Sequence, residues 1–266
     1  MQRVPLDFFA PAASWVALRG LSGHDEESVA GTDTAQAIAL LDRLLVDVRG
    51  VALRPGDAAE LAAPDRDRLL AAVYASAFGA RVECVVRCEA CGERLTVEFV
   101  LAELVASLRA SSHIPGLTHH DGAVLHLADG RRIRLPCGRD ELDLLAFAPE
   151  TREAELLRRC VVEGEVSADD ATVLAAMEAA GPLVDLDLDS TCPSCDATRP
   201  VHFDLQFYLL SAILQETPLR TAEIHRLAAT YGWALGDILA LGRVRRRAFV
   251  AEIERDRSLV QRATVR

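Results

Sequence analysis

Apolar side chains recur at helical spacing in TAQAIALLDRLLVDV, where Ile38, Leu41, Leu45 and Val46 share a face, so a helix capped by Thr32 or Thr34 is predicted there. A short extended piece over residues 14–18 precedes it. After the turn residues Arg54, Pro55, Gly56 and Asp57, Pro64 opens a second helix with an apolar stripe of Leu69, Leu70, Val73, Tyr74 and Phe78, stopped by Gly79. The period then changes to two. RVECVVR and RLTVEF alternate as strands, a helix follows in VLAELVASLRA, and GAVLHLADGRRIRLP reads as two strands around an Asp129-Gly130 type I′ turn. Helices are predicted in RDELDLLAFA, PETREAELLRRCVV and SADDATVLAAMEAA, the last capped by Ser167 with Asp170 three positions on. LVDLDLD alternates again, with Val184, Leu186 and Leu188 on one face. Asp185, Asp187 and Asp189 on the other read as a solvated face rather than a calcium site, since no glycine-turned loop gathers them. PVHFDL is a strand running into an apolar helix, and from Thr221 three short helices are broken by Gly232 and Gly242. The pattern is that of an α+β protein, helix-rich with β-hairpins. It falls into a mainly helical segment 1–79, a hairpin segment 80–206 with an inserted β-hairpin and helices, and a helical block 207–266.

The chemistry lies in the turns. Cys88 and Cys91 sit between two strands, and Cys192 and Cys195 sit between two more, about a hundred residues later. The surroundings match: eleven residues on from Cys88 is Phe99 and from Cys192 is Phe203, Val97 parallels Val201, and Leu101 parallels Leu205. Two such tips can give two thiolates each to a tetrahedral Zn²⁺, making a zinc ribbon split by an insertion. All four positions are then filled by protein, so the metal is structural. Cys84, Cys137 and Cys160 fall outside the pattern and read as small buried hydrophobes, and His202 is the one alternative ligand near either pair.

Charge and composition narrow the functions. The net charge of −11 opposes binding a polyanion over the whole surface. All 29 basic residues are Arg, a bias of a GC-rich bacterial or phage genome. The N-terminus lacks a basic lead into a clean apolar run, and the longest uncharged helical stretch, Leu205–Gln215, is short of the roughly 20 residues of a membrane span. A cytoplasmic protein is expected, with thiols used for metal rather than disulfides. No nucleophile elbow, phosphate loop, dinucleotide fingerprint or HExxH helix is present, so no enzyme is indicated. A loop containing His113, His119, His120 and Asp121 is the one span with ligands for a second metal.

The C-terminal block allows two readings. Arg243, Arg245, Arg246 and Arg247 can contact phosphates from a helix-turn-helix, which gives a zinc-ribbon DNA-binding regulator. Alternatively they pair with Glu252, Glu254 and Asp256 in a packed helical hairpin, and the apolar DILALG favours this second reading. The stretch EIHRLAATYGW, followed by DILAL and RRRAF, resembles the C-terminal signature of the T4-type phage baseplate hub assembly chaperone family, also found with phage-tail-like contractile injection systems. LRGLSGHDEESV and RLPCGRDELDLLAF resemble the same family, and the split CxxC pairs fit its longer injection-system members. The chain departs from the pattern after Trp233, where Ala-Leu-Gly replaces a small polar residue and an acid, and at Phe249, where an aromatic hydroxyl is common. The resemblance implies a non-enzymatic assembly factor, or a minor baseplate component, that acts on the hub or tape-measure protein and stays in the cytoplasm or enters the particle. Tyr231, Trp233 and Arg245 to Arg247 are its candidate partner contacts.

Overall fold

The computed structural model describes residues 1–8, 15–48, 53–108, 114, 116–167 and 170–264, with side chains to residue 258. A hairpin of β1 (Gln2–Pro5) and β2 (Trp15–Leu18) leads into α1 (Gly23–Ser28), α2 (Thr34–Leu44), a 3₁₀ turn at Ala58–Glu60 and α3 (Ala63–Phe78). A second hairpin, β3 (Arg81–Arg87) and β4 (Arg94–Val100), ends in α4 (Leu101–Ser107). Next come β5 (Leu117–Asp121), β6 (Val124–Leu127), β7 (Arg132–Arg134), α5 (Gly138–Leu144), α6 (Arg152–Cys160) and β8 (Val161–Glu163). The four strands form one antiparallel sheet in the order β5-β6-β7-β8. Then follow α7 (Ala171–Ala180), a hairpin of β9 (Asp185–Thr191) and β10 (Thr198–Asp204), α8 (Leu205–Gln215), α9 (Thr217–Tyr231), α10 (Leu235–Ala240) and α11 (Arg243–Thr264). The protein is α+β, as the pattern predicts.

Several details differ from the pattern for local reasons. Asp33 caps α2, accepting from the Gln36 N–H at 2.9 Å, and Asp170 rather than Ser167 caps α7, accepting from Val173. The Asp129-Gly130 connection is longer than a two-residue turn. The Gly130 N–H reaches the Leu127 carbonyl and the Leu127 N–H reaches that of Arg131, with a positive φ of 89° at Gly130 alone, so this is a type I turn with a glycine bulge. α6 stops at Cys160, where Val161 joins the sheet, and His119 and His120 lie on β5, not in a loop.

The principal core draws on β2, α2, α3, both CxxC hairpins and α8, with Leu40, Leu41, Leu69, Leu70, Val82, Phe203, Leu205, Leu209 and Ile213 all buried. Thus α8, expected with the C-terminal block, packs with the rest of the chain. A second core under the four-stranded sheet joins Leu125, Ile133, Leu157 and Val173, and a small third one joins Leu227, Ile238, Val250 and Ile253.

Two features of this fold occur twice. Every position from β3 to β4 has a counterpart 104 residues later in β9 and β10, and α4 likewise matches the start of α8. The second repeat is a docking motif. Just before α1, Arg19 makes a two-pronged ion pair with Asp25 of that helix (2.5 and 2.8 Å), whose carboxylate also accepts from the Ser22 N–H; Arg134, at the end of β7, does the same to Asp140 of α5 (2.6 and 2.7 Å), which accepts from the Cys137 N–H. The next residue then reaches a buried arginine near the start of a longer helix: Glu26 to Arg246 of α11 at 2.6 Å, and Glu141 to Arg66 of α3 at 2.8 Å. Backbone bridges Ser22 to Gly242 and Cys137 to Ala62 hold each pair of helix starts together. Gly23 has no room for a side chain there, since a Cβ would meet the Leu239 backbone at 2.9 Å, and at Gly138 a Cβ would displace the end of the Ile38 side chain, 2.6 Å away.

At the α11 end these contacts widen into a buried ion cluster. Arg246 also donates to Glu223 (2.7 Å), Arg243 pairs with Glu26 and Glu216, and Arg247 pairs with Glu216 and Glu223. Glu26, Glu223, Arg243 and Arg246 are all nearly inaccessible. Removing one member strands the charge of the others. Arg246→Ala should therefore lower the unfolding free energy by about 3–5 kcal/mol, whereas the exposed Arg245→Ala should change it by less than about 0.5 kcal/mol, both read from urea unfolding followed by circular dichroism.

Candidate metal centre

Each cysteine pair sits in a turn that its own backbone shapes. The Cys88 N–H donates to the Glu93 carbonyl (2.8 Å) and the Gly92 N–H to the Cys88 carbonyl (2.7 Å); the Cys192 N–H donates to Ala197 (3.0 Å) and the Asp196 N–H to Cys192 (2.9 Å). The turn requires a left-handed residue right after the second cysteine, supplied by Gly92 (φ 76°) and by Asp196 (φ 56°), the latter a residue type that tolerates this region. Such turns aim both thiols and the intervening N–H groups to one side.

The two turns face each other. All four Sγ atoms lie within 4.8 Å of one another, with Cys88 to Cys195 at 3.8 Å and Cys91 to Cys192 at 3.7 Å. Four thiolates bonded at about 2.3 Å to one tetrahedral ion lie roughly 3.8 Å apart, so the spacing fits a metal and is far too long for disulfides, which need about 2.05 Å. Cys88 and Cys192 are buried with Leu95, Val86 and Val97, whereas Cys91 and Cys195 are exposed. The thiols differ in how readily they give up a proton. N–H groups of Cys91 and Ala90 draw the Cys88 thiol down to about 7. At Cys91 the Glu93 N–H helps the thiolate, but desolvation and the sulfurs of residues 195, 88 and 192 outweigh it and push the thiol up to about 12. Without a cation the cluster cannot carry four negative charges. It could hold one metal ion with every coordination position taken by protein.

The hairpin roots are fixed from below. Phe99 and Phe203, the matched residues of the two copies, meet edge to face at 5.0 Å. The N–H of Val184, at the foot of β9, donates to the Asp67 carboxylate of α3 at 2.8 Å.

Of the residues singled out from sequence, the four cysteines come together. Tyr231 stacks on Trp233 at 4.8 Å, and Phe249 meets Trp233 edge-on at 5.1 Å; Tyr231 is exposed and Trp233 half-buried. Arg245 is exposed above the Phe249 ring. Arg246 is buried and Arg247 half-exposed, and both are held by Glu26, Glu216 and Glu223; the block is a packed helical arrangement, but its arginines do not use Glu252, Glu254 and Asp256, which corrects the expected pairing. His113 lies outside the described residues. His119 stacks on His126 across the β5–β6 pair at 4.1 Å, and among the described residues only the cysteines form a cluster of three or more potential ligands. Cys160 is buried and desolvation pushes its thiol to about 12, Cys84 is half-buried, and Cys137 is not a passive hydrophobe but the cap of α5, its thiol donating to Asp140 at 3.3 Å. Sequence reasoning missed Asp67 and the repeated Arg-x-x-(Ser/Cys)-Gly-x-Asp-Glu motif, although the motif was there to find at Arg19 to Glu26 and Arg134 to Glu141. Among the described residues no helix is long and apolar enough to cross a membrane. No protein-family model, curated protein or solved structure matches the chain.

Desolvation of the Asp67 carboxyl raises its pKa to about 6, against the pull of Arg66 and the Val184 N–H. The unfolded chain releases that proton near pH 3.9, so the contribution of this group is greatest below about 4 and is lost as pH rises through about 6. Asp67→Asn keeps an acceptor for Val184 and removes the titration. The difference in urea midpoint between Asp67→Asn and wild type should grow from pH 4 to pH 7 in favour of the variant, and a constant difference would contradict this assignment.

Proposed function

We propose that the four cysteines hold one structural Zn²⁺, completing a split zinc ribbon, and that the protein is a non-enzymatic assembly factor or minor component of the baseplate hub of a contractile phage-tail-like particle. The observation that carries the first half is the closed set of four sulfurs at tetrahedral spacing, which leaves no position for water or substrate. Thiolate donors suit Zn²⁺, which has no redox chemistry and no geometric preference to oppose the site. The second half rests on the resemblance and on where its residues lie. Two of the stretches that carry it, residues 18–29 and 223–249, meet in the buried ion cluster, and the third, residues 134–147, forms the other copy of the docking motif. A scaffold that spends its distinctive residues on holding its own helices is suited to presenting a rigid surface, with the Tyr231–Trp233 stack as anchor for the hub or tape-measure protein. The DNA-binding alternative is weakened because Arg246 and Arg247 are already neutralised by carboxylates.

Metal analysis of the purified chain should give one zinc per molecule, released as acid protonates the thiolates, with Cys88→Ser and Cys192→Ser each losing it. Co-expression with the hub and tape-measure proteins of its own gene cluster should give a complex that Trp233→Ala weakens at unchanged zinc content. A chain that binds zinc yet enriches neither protein would keep the metal assignment and sink the assembly role.

A further inference from the structure

A slot runs between the two CxxC hairpins along β3 and β10. Its wider part, a cleft of about 490 Å³, is bordered by residues 83–86 and 202–204 and by Phe207 and Tyr208 of α8. A narrower part of about 200 Å³ continues past Val86 and His202 to Arg87 and Arg199. β3 and β10 border it in opposite directions, β3 running from the α8 end toward the cysteine turns and β10 from those turns toward α8. Among the described residues β3 pairs with no strand but β4 and β10 with none but β9, which leaves each with an edge that no strand covers; on β3, tyrosine hydroxyls take the outward carbonyls of Arg81 and Glu83, so the stretch open to a strand begins at Val85. The Tyr74 hydroxyl donates to the Arg81 carbonyl (3.1 Å) and the Tyr208 hydroxyl to that of Glu83 (2.8 Å), so the odd-numbered residues of β3 turn their backbone groups away from β4. By the same alternation those of Val85 face outward.

The side chains at this edge are unusual. Natural edge strands carry charges that discourage pairing, yet Val85 is 58% and Phe207 56% exposed. The duplication supplies an internal control. At the counterpart positions, 104 residues away, stand Asp189 in place of Val85 and Glu103 in place of Phe207, both exposed, so the fold of the unit does not need apolar residues there. Charge is also ordered along the slot: Glu83 and Asp204 at the α8 end, with Asp185 and Asp187 flanking His202, and Arg87 and Arg199 toward the cysteine turns.

We propose that this slot takes an extended segment of a partner protein, which adds a strand to the edge of β3. Its apolar side chain packs on Val85 and Phe207, a Lys or Arg faces Glu83 and Asp204, and a carboxylate faces Arg87 and Arg199. The proposal goes beyond the baseplate reading and stands without it. The test uses the zinc-loaded full chain and a short fluorescein-labelled peptide alternating Val with Lys over its first half and Val with Glu over its second. Fluorescence anisotropy should show binding that falls with salt. Phe207→Ser and Glu83→Lys, both surface changes, should each weaken it roughly tenfold or more at unchanged zinc content and circular dichroism. A peptide with alternate amides methylated should lose binding too. Equal binding of the methylated peptide, no effect of Phe207→Ser, or no binding at all would overturn the proposal. So would a wild-type dimer that Val85→Lys converts to monomer, which would give the edge to a second copy.

Discussion

Four sulfur atoms from two turns a hundred residues apart meet within 4.8 Å, and they can do so as thiolates only if a cation among them balances their charge. The magnitudes say what such a contact does for the fold. Closing a flexible loop of about a hundred residues costs on the order of 4–5 kcal/mol, while a structural metal bound by thiolates contributes on the order of 10 kcal/mol. The proposed ion therefore offsets the closure with a surplus, and the packing of Phe99 on Phe203 and of Leu205 and Ile213 in the principal core adds to it. The apolar contacts bring the hairpins together, and an ion held by the four sulfurs would fix their relative register.

The buried ions contribute differently. Burying charge in pairs is close to neutral in stability, so Arg246 between Glu26 and Glu223 is better understood as selecting a partner than as adding strength. The chain needs such a selector because α1 and α5 carry the same motif and must not exchange places. Glu26 meets two arginines of α11 and shares Arg246 with Glu223, while Glu141 meets the single Arg66 and accepts from the Thr34 hydroxyl at 2.8 Å. A swapped docking would leave a buried arginine or carboxylate without its counterpart, at a cost of several kcal/mol.

This division explains what the sequence made legible. The meeting of the four cysteines could be read because each half of the cluster is local, a CxxC with its flanking strands, and because the two halves repeat. The long helices α2 and α3 could be read because their apolar faces recur over several turns. What escaped were pieces too short to hold together alone: β1, α1, β5 and β8 span three to six residues each and exist because something distant pairs with or packs on them. The partners of Arg243, Arg246 and Arg247 escaped for the same reason. Their nearest carboxylates in sequence, on α11 itself, lie on exposed faces, and the ones they use come from α1 and the start and middle of α9.

Duplication also explains how one chain can be both rigid and specific. The two hairpin units keep in common what the fold requires: the cysteines, the left-handed residue after them and the matched phenylalanines. Each then differs where the fold makes no demand. The outer face of the second hairpin carries Asp185, Asp187 and Asp189 and repels a passing strand, whereas the first leaves Val85 bare in the middle of an edge. A single unit would have to protect its edge or use it. Two units joined at their facing cysteine turns allow one edge to stay closed while the other remains open, and that junction holds the open edge in place.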